Sequence, residues 1–180
     1  GRSHMAVCVP EPGILARHCV RDEYPSYGTG DFRSPAYTVL QENGSRISEY
    51  KYVSHKIIKG KPSLAPLPST YVENDSEAET LEITLMDNVT DTDMVLSYTI
   101  YADYPVITRH TRFNHKGEKP IVLQRALSFA VDFLDMNYEM LHFSGAWARE
   151  RYIKKRKLEM GIQSVGTVTG TGSGADHNPF

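Results

Sequence analysis

The chain has 180 residues, of which 40% are hydrophobic and 23% charged, and its formal net charge is −2. A chain of this length buries roughly two-thirds of the surface that its unfolded form exposes, so it can build a sizeable core. A nearly neutral chain lacks the positive potential that holds phosphates, and no apolar run approaches the ~20 residues of a membrane helix. These properties exclude a typical nucleic-acid partner and a membrane-spanning protein.

The amino-terminal residues contain little functional signal. Gly1 to Met5 resemble the remnant of an expression tag, and residues 6–180 are treated as the domain itself. Cys8 and Cys19 are the only cysteines, and two thiols do not make a disulfide framework. The cysteine content therefore favours a reducing compartment, and we expect a cytoplasmic protein.

An aromatic stretch follows, in which Tyr24 and Tyr27 precede Asp31 and Arg33. Aromatic planes suit the C–H faces of sugar rings, while carboxylate and guanidinium groups bind hydroxyls. The same residues also suit an aromatic-rich turn that packs beneath a sheet, and both interpretations stay open. Residues 28–30 lack the continuation of a phosphate-binding loop, which favours a flexible turn.

Alternation of apolar and polar residues is the main structural signal, because successive side chains of a strand face opposite sides of the sheet. Residues 36–41 and 47–58 flank Asn43-Gly44, a pair that is typical of tight hairpin turns, so we predict that these two segments form a hairpin. Residues 80–85 and 94–100 also alternate and are predicted to be neighbouring antiparallel strands.

The second half of the chain continues in the same way. Residues 61–79 are rich in proline and then in acidic residues, which predicts an extended surface crossing between two sheets. The runs 106–114, 121–134 and 138–158 favour strands, and the basic run Arg149 to Lys157 is interpreted as a solvated strand face. The predicted fold is an all-β, mostly antiparallel sandwich in one domain.

Catalytic and cofactor motifs are not evident. Of seven histidines, only His110 and His115 come near one another, without the spacing of metal ligands. The carboxylates give no basis for choosing the facing pair that a glycosidase needs, and no Gly-x-Ser-x-Gly elbow occurs. We therefore assign no catalytic residue, no metal and no cofactor to this chain.

Several blocks nevertheless resemble, in the same order, the amino-terminal region of bacterial family 36 α-galactosidases. The resemblance extends over roughly residues 20–180. The matching blocks are Glu23 to Ala36, Gly44 to Arg46, Tyr52 to His55, Gly60 to Pro62, Leu67 to Glu73, Gly145 to Arg151 and His177 to Phe180.

This resemblance implies a longer parent with an amino-terminal β-supersandwich, a catalytic (β/α)₈ barrel and a carboxy-terminal β-domain. The parent would hydrolyse terminal α-galactosides of the melibiose and raffinose type with retention. The family nucleophile lies in a Lys-Trp-Asp motif of the barrel, whereas Trp147 stands between two alanines. The barrel is thus expected to be absent from this chain, which alone should be inactive.

The resemblance also suggests roles for individual residues. Tyr27, Asp31, Arg33, His177 and Asn178 are candidates for a substrate or interface role, and Trp147 is expected to be buried in the sandwich core. Residues 174–176 read Gly-Ala-Asp where relatives tend to carry Ser-Ser-His, a departure from the family pattern. The expected partners are the catalytic barrel, an α-galactoside and further copies of the parent. The alternative is a stand-alone carbohydrate-binding or structural β-sandwich module.

Overall fold

The computed structural model describes residues 23–28, 34–133, 137–146 and 148–166. These residues form antiparallel strands and a single-turn 3₁₀ helix at Asp75–Glu77. In that part of the chain no helix is long and apolar enough to cross a bilayer. The strands are β1 (Tyr37–Gln41), β2 (Lys51–Lys59), β3 (Ala78–Asp87), β4 (Thr92–Tyr101), β5 (Ile107–His115), β6 (Ile121–Ala126), β7 (Glu139–Ala146) and β8 (Arg149–Lys157).

The chain divides between residues 132 and 133 into two compact units, and six of these strands form a sandwich in the first unit. One layer is the pair β1-β6, and the other is the four-stranded sheet β2-β3-β4-β5. Val39 of β1 is fully buried and packs in one cluster with Met94 and Leu96 of β4. The predicted all-β, antiparallel sandwich is therefore confirmed.

The predicted pairing of residues 80–85 with residues 94–100 is also confirmed. Strands β3 and β4 are antiparallel neighbours, with Ile83 opposite Leu96 and Leu85 opposite Met94. These apolar pairs share the face that the second layer covers, so the alternation in the sequence identifies the inward side of both strands.

The hairpin predicted around Asn43-Gly44 is wrong, although the turn itself forms. Gly44 has a φ of +83°, and the Gln41 amide donates to the Ser45 carbonyl over 2.8 Å. Strand β1 nevertheless pairs with β6, and β2 pairs with β3. After the turn the chain passes from the sheet of β1 to the sheet of β2. The Tyr50 ring, just before β2, packs edge-on against the buried Tyr37 ring of β1, with ring centroids 5.4 Å apart, and this contact favours the passage.

The proline-rich and acidic segment was predicted to cross between two sheets, and this is also wrong. It connects β2 to β3, which are neighbours in the same sheet. Its two ends meet where the Gly60 amide donates to the Ala78 carbonyl over 2.7 Å. Pairing of β2 with β3 holds the two ends of the connection together. Most residues between these ends are exposed, so the connection lies on the protein surface, as the composition indicated.

The outward face of the four-stranded sheet is polar and closely hydrogen bonded. The hydroxyls of Thr80 and Thr99 lie 2.8 Å apart, and both residues are buried. The Glu82 carboxylate is 2.8 Å from the Lys56 ammonium and accepts a hydrogen bond from Ser97. Both faces of the central strands are thus occupied, the inward face by apolar contacts and the outward face by polar ones.

The second unit contains the hairpin β7-β8, in which Glu139 lies opposite Lys157. Every residue of β8 whose side chain is described is exposed, in agreement with a solvated basic strand. The apolar run that was predicted as a strand over 121–134 is strand only as far as Ala126.

Candidate functional site

The aromatic segment before the Asp31 motif lies directly on the sandwich. Tyr24 is 7% exposed, and its ring stacks on that of Tyr37 with centroids 5.5 Å apart and planes 12° from parallel. Its hydroxyl donates to the Leu127 carbonyl over 2.6 Å. The Ala36 amide donates to the Pro25 carbonyl over 2.8 Å, which joins the two sides of the motif at their base.

A buried arginine of β5 holds this segment in place. The Arg109 guanidinium carbon lies 4.9 Å from the centre of the Tyr24 ring and 5.0 Å from that of Tyr98. Nη1 donates to the Ala130 carbonyl over 3.0 Å and lies 3.4 Å from the Glu23 carboxylate. A buried charge is costly unless it is paired, and here two aromatic faces, a carbonyl and a carboxylate compensate part of that cost, while Nε and Nη2 have no hydrogen-bond partner among the described residues. We call Glu23, Tyr24, Tyr98 and Arg109 the arginine anchor.

The tyrosine hydroxyls of the arginine anchor stay protonated at neutral pH. Burial is the main cause that raises the pKa of Tyr98 to about 12, and burial also raises the pKa of Tyr24. The protonated Tyr98 hydroxyl donates to the Glu23 carboxylate over 3.0 Å. Within the arginine anchor, the Glu23 carboxylate therefore faces two donors, the hydroxyl of Tyr98 and the guanidinium of Arg109.

Tyr27 and Gly28 lie at the exposed end of the anchored segment. Tyr27 is 42% exposed, so its ring is available to a ligand or partner, in contrast to Tyr24. Gly28 has a φ of +78°, which a residue with a side chain rarely adopts, and a Cβ there would collide with the Ile47 side chain. The packing interpretation of the aromatic stretch therefore holds for Tyr24, whereas Tyr27 is exposed and its substrate or interface role stays a prediction.

The other predicted site residues, Asp31, Arg33, Trp147, His177 and Asn178, lie outside the described residues. Their proposed roles, including the burial of Trp147, stay predictions.

The two histidines that were weighed as metal ligands have separate surroundings. His110 pairs with Ser97 across the sheet, and burial lowers its pKa. Both ring nitrogens of His115 are engaged, with the Thr92 hydroxyl at 2.9 Å and the Lys119 carbonyl at 2.8 Å. Within the described ranges, no three His, Cys, Asp or Glu residues converge as a metal site would require.

Sequence reasoning missed Arg109, and one signal was available. Arg109 shares one face of β5 with Ile107, Thr111 and Phe113, so the strand periodicity places a basic residue on the inward face. A charge at such a position requires partners, but the tyrosine-rich stretch around Tyr24 is more than 80 residues away in the sequence, so the sequence did not indicate which partners they are.

Comparison with known proteins agrees with the motif blocks. Residues 10–180 match the model of the glycosyl hydrolase family 36 N-terminal domain. Alpha-galactosidase AgaA of Geobacillus stearothermophilus is 49% identical over 171 residues, a match that covers 95% of this chain and 23% of that protein. Probable alpha-galactosidase C of Aspergillus flavus is 39% identical over 160 residues, which covers 89% of this chain and 21% of that protein.

Solved structures agree in fold. The crystal structure of AgaA superposes with a TM-score of 0.81 at 46% identity, covering 87% of this chain and 22% of that chain. A variant of AgaA in complex with raffinose gives a TM-score of 0.79. This chain therefore spans between a fifth and a quarter of the length of the relatives that it matches. By its sequence blocks and its fold, it belongs to the amino-terminal domain family of the glycoside hydrolase family 36 enzymes.

Proposed function

We propose that this chain is the non-catalytic amino-terminal domain of an α-galactosidase that hydrolyses terminal α-galactosides, such as melibiose and raffinose-type sugars, with retention. The supporting observation is the family match over residues 10–180, combined with relatives that carry the name alpha-galactosidase and are about four times longer than the match. In this proposal the catalytic carboxylates belong to a barrel that this chain does not include. A bacterial, cytoplasmic parent is part of the same proposal.

The domain's own role would be to support barrel packing, the substrate entrance and assembly of the parent into an oligomer. Tyr27, Asp31 and Arg33 are the proposed contact residues. The arginine anchor fixes the chain before them, and the bond between Ala36 and Pro25 fixes the chain after them. Both flanks of the segment that contains these residues are held on the sandwich, which supports a contact role at this place. His177 and Asn178 are proposed to serve the same contact region.

The first experiment tests the division of labour between domain and barrel. The chain alone should show no turnover of p-nitrophenyl α-galactoside or melibiose at any pH. A chimera in which residues 10–180 replace the matched region of Geobacillus AgaA should hydrolyse both substrates with retained anomeric configuration, followed by NMR. Turnover by the chain alone, purified free of other glycosidases, would contradict the proposal. A folded but inactive chimera would instead favour a stand-alone module.

The second experiment tests the contact residues. We expect Asp31→Ala in the chimera to raise KM or weaken oligomer assembly, while the same change leaves the melting temperature of the isolated chain unchanged. Glu118→Ala, which removes an exposed carboxylate of the β5-β6 connection, is the matched control and should alter neither property. A lower melting temperature of the isolated chain with unchanged kinetics would show that Asp31 only stabilises its own turn.

A further inference from the structure

A concave surface lined by tyrosines lies where the β2-β3 connection meets the end of β4. Its volume is about 690 Å³, within the range of small-molecule sites. We call it the tyrosine groove. Its lining includes Thr70, Tyr71, Glu77, Tyr101, Tyr104 and Val106.

Hydrogen bonds between the two connections preform the tyrosine groove. The Ala102 amide donates to the Glu77 carbonyl over 2.8 Å, and the hydroxyls of Thr70 and Tyr101 lie 2.6 Å apart. The Val106 amide donates to the Tyr104 carbonyl over 2.7 Å, which holds the other wall in a tight turn. A preformed surface loses less conformational entropy when a ligand binds.

Two of the three tyrosine rings of the groove, those of Tyr71 and Tyr104, are exposed, and Tyr101 is half-buried. Tyr71 is 77% exposed, Tyr104 is 68% exposed and Val106 is 45% exposed. Clustered exposed apolar side chains of this size are typical of binding surfaces. Among the described ring pairs, none joins two of Tyr71, Tyr101 and Tyr104. The rings therefore present spaced platforms instead of a closed box, which favours an extended ligand over a compact ammonium group.

The polar groups of the groove suit a ligand with hydroxyls. The Glu77 carboxylate accepts from the Asn74 amide at 2.9 Å, from the Asn74 side chain at 3.0 Å and from the Glu73 amide at 3.3 Å. A carboxylate has about four acceptor positions, so one is left for a ligand donor. No Lys, Arg or His is among the described lining residues, which makes an anionic ligand a poor fit.

We propose that the tyrosine groove binds a neutral oligosaccharide, whose C–H faces lie on the spaced tyrosine rings while its hydroxyls donate to Glu77 and bond with the Thr70 and Tyr101 hydroxyls. The electron-rich ring faces attract polarised C–H groups, so separate rings can each carry one unit of an oligosaccharide. Binding by the chain itself is independent of whether the longer parent is an α-galactosidase.

The experiment is a titration of the isotope-labelled 180-residue chain with raffinose, followed by NMR, with maltotriose as a second sugar. We expect saturable shifts centred on residues 69–71, 77 and 101–106 at millimolar sugar. Tyr71→Ala and Tyr104→Ala should each raise the Kd by about tenfold, because each removes one ring platform. Tyr152→Ala, which removes a tyrosine that is 56% exposed on β8, is the matched control and should leave the Kd unchanged.

Glu77→Gln separates a sugar site from a cation site. The glutamine NH2 group can donate to a sugar hydroxyl oxygen in place of the carboxylate acceptor, so raffinose binding should persist in this variant. If tetramethylammonium binds the groove, requires the Glu77 charge and raffinose causes no shift, the proposal is wrong. Absence of saturable shifts in the groove would also overturn it. So would concentration-dependent self-association that Tyr104→Ala abolishes without any effect of sugar, because the groove would then be a protein interface.

Discussion

The molecule contains two tyrosine clusters that differ in their surroundings. In the arginine anchor, Tyr24 is 7% exposed and lies against Arg109, with its hydroxyl bonded to a carbonyl. In the tyrosine groove, Tyr71 and Tyr104 are 77% and 68% exposed. A tyrosine can be buried when its hydroxyl finds a partner and its ring finds a second layer. Where no second layer covers the ring, as at Tyr71 and Tyr104, the side chain stays exposed to solvent.

The largest effect that this comparison predicts is the loss of the Tyr24 ring. Tyr24→Ala should lower the free energy of unfolding by about 3 to 5 kcal/mol, because it leaves a cavity between Tyr37 and Arg109. The measurement is urea denaturation followed by near-ultraviolet circular dichroism. Tyr27→Ala, at the exposed end of the same segment, is the control and should have a much smaller effect. An unchanged denaturation midpoint for Tyr24→Ala would contradict the buried role.

Removal of the buried charge should have the next largest effect. Arg109→Met keeps part of the apolar stem but removes the bond to Ala130 and the cation above both rings, which should cost about 2 to 3 kcal/mol. The control is Arg112→Met, an exposed residue of the same strand, with an expected change within about 0.5 kcal/mol. Equal destabilisation by the two substitutions would show that the contacts of Arg109 with the two rings do not contribute specifically to the free energy of unfolding.

Alkaline pH should have a smaller effect, again through the arginine anchor. The pKa of Tyr98 is raised to about 12 in the folded chain, from about 10 in an unfolded one. Its contribution to stability is therefore complete below pH 10 and is lost as the pH rises from about 10 through 12. In Tyr98→Phe the denaturation midpoint should fall less steeply over this interval. An identical pH dependence in both proteins would contradict the burial of this hydroxyl.

The smallest effect is expected in the groove. Tyr104→Ala should change the free energy of unfolding by no more than about 0.5 kcal/mol, because most of its ring already faces water. The same urea denaturation measures it beside Tyr24→Ala. A loss of more than about 1 kcal/mol would mean that Tyr104 stabilises the fold, and the contrast between the two clusters would fail.

The outcome of each structural prediction depended on whether its signal was local. Alternation identified β3 and β4 and their mutual pairing, because short antiparallel connections join neighbours in the chain. The turn at Asn43-Gly44 was also local and forms. The partner of β1 is β6, more than 80 residues away at Tyr37 and Ala126, and no local pattern contains that information.

The sequence by itself determined the fold class, most strands and the family, through periodicity and ordered motif blocks. It also placed an aromatic segment before Asp31. Only the tertiary structure decided that the Arg109 guanidinium packs on the rings of Tyr24 and Tyr98, and that Tyr71, Tyr101 and Tyr104 line one groove. The physical reason is that periodicity states which side chains share a face of a strand, whereas the other layer and the long connections determine which part of that face is covered.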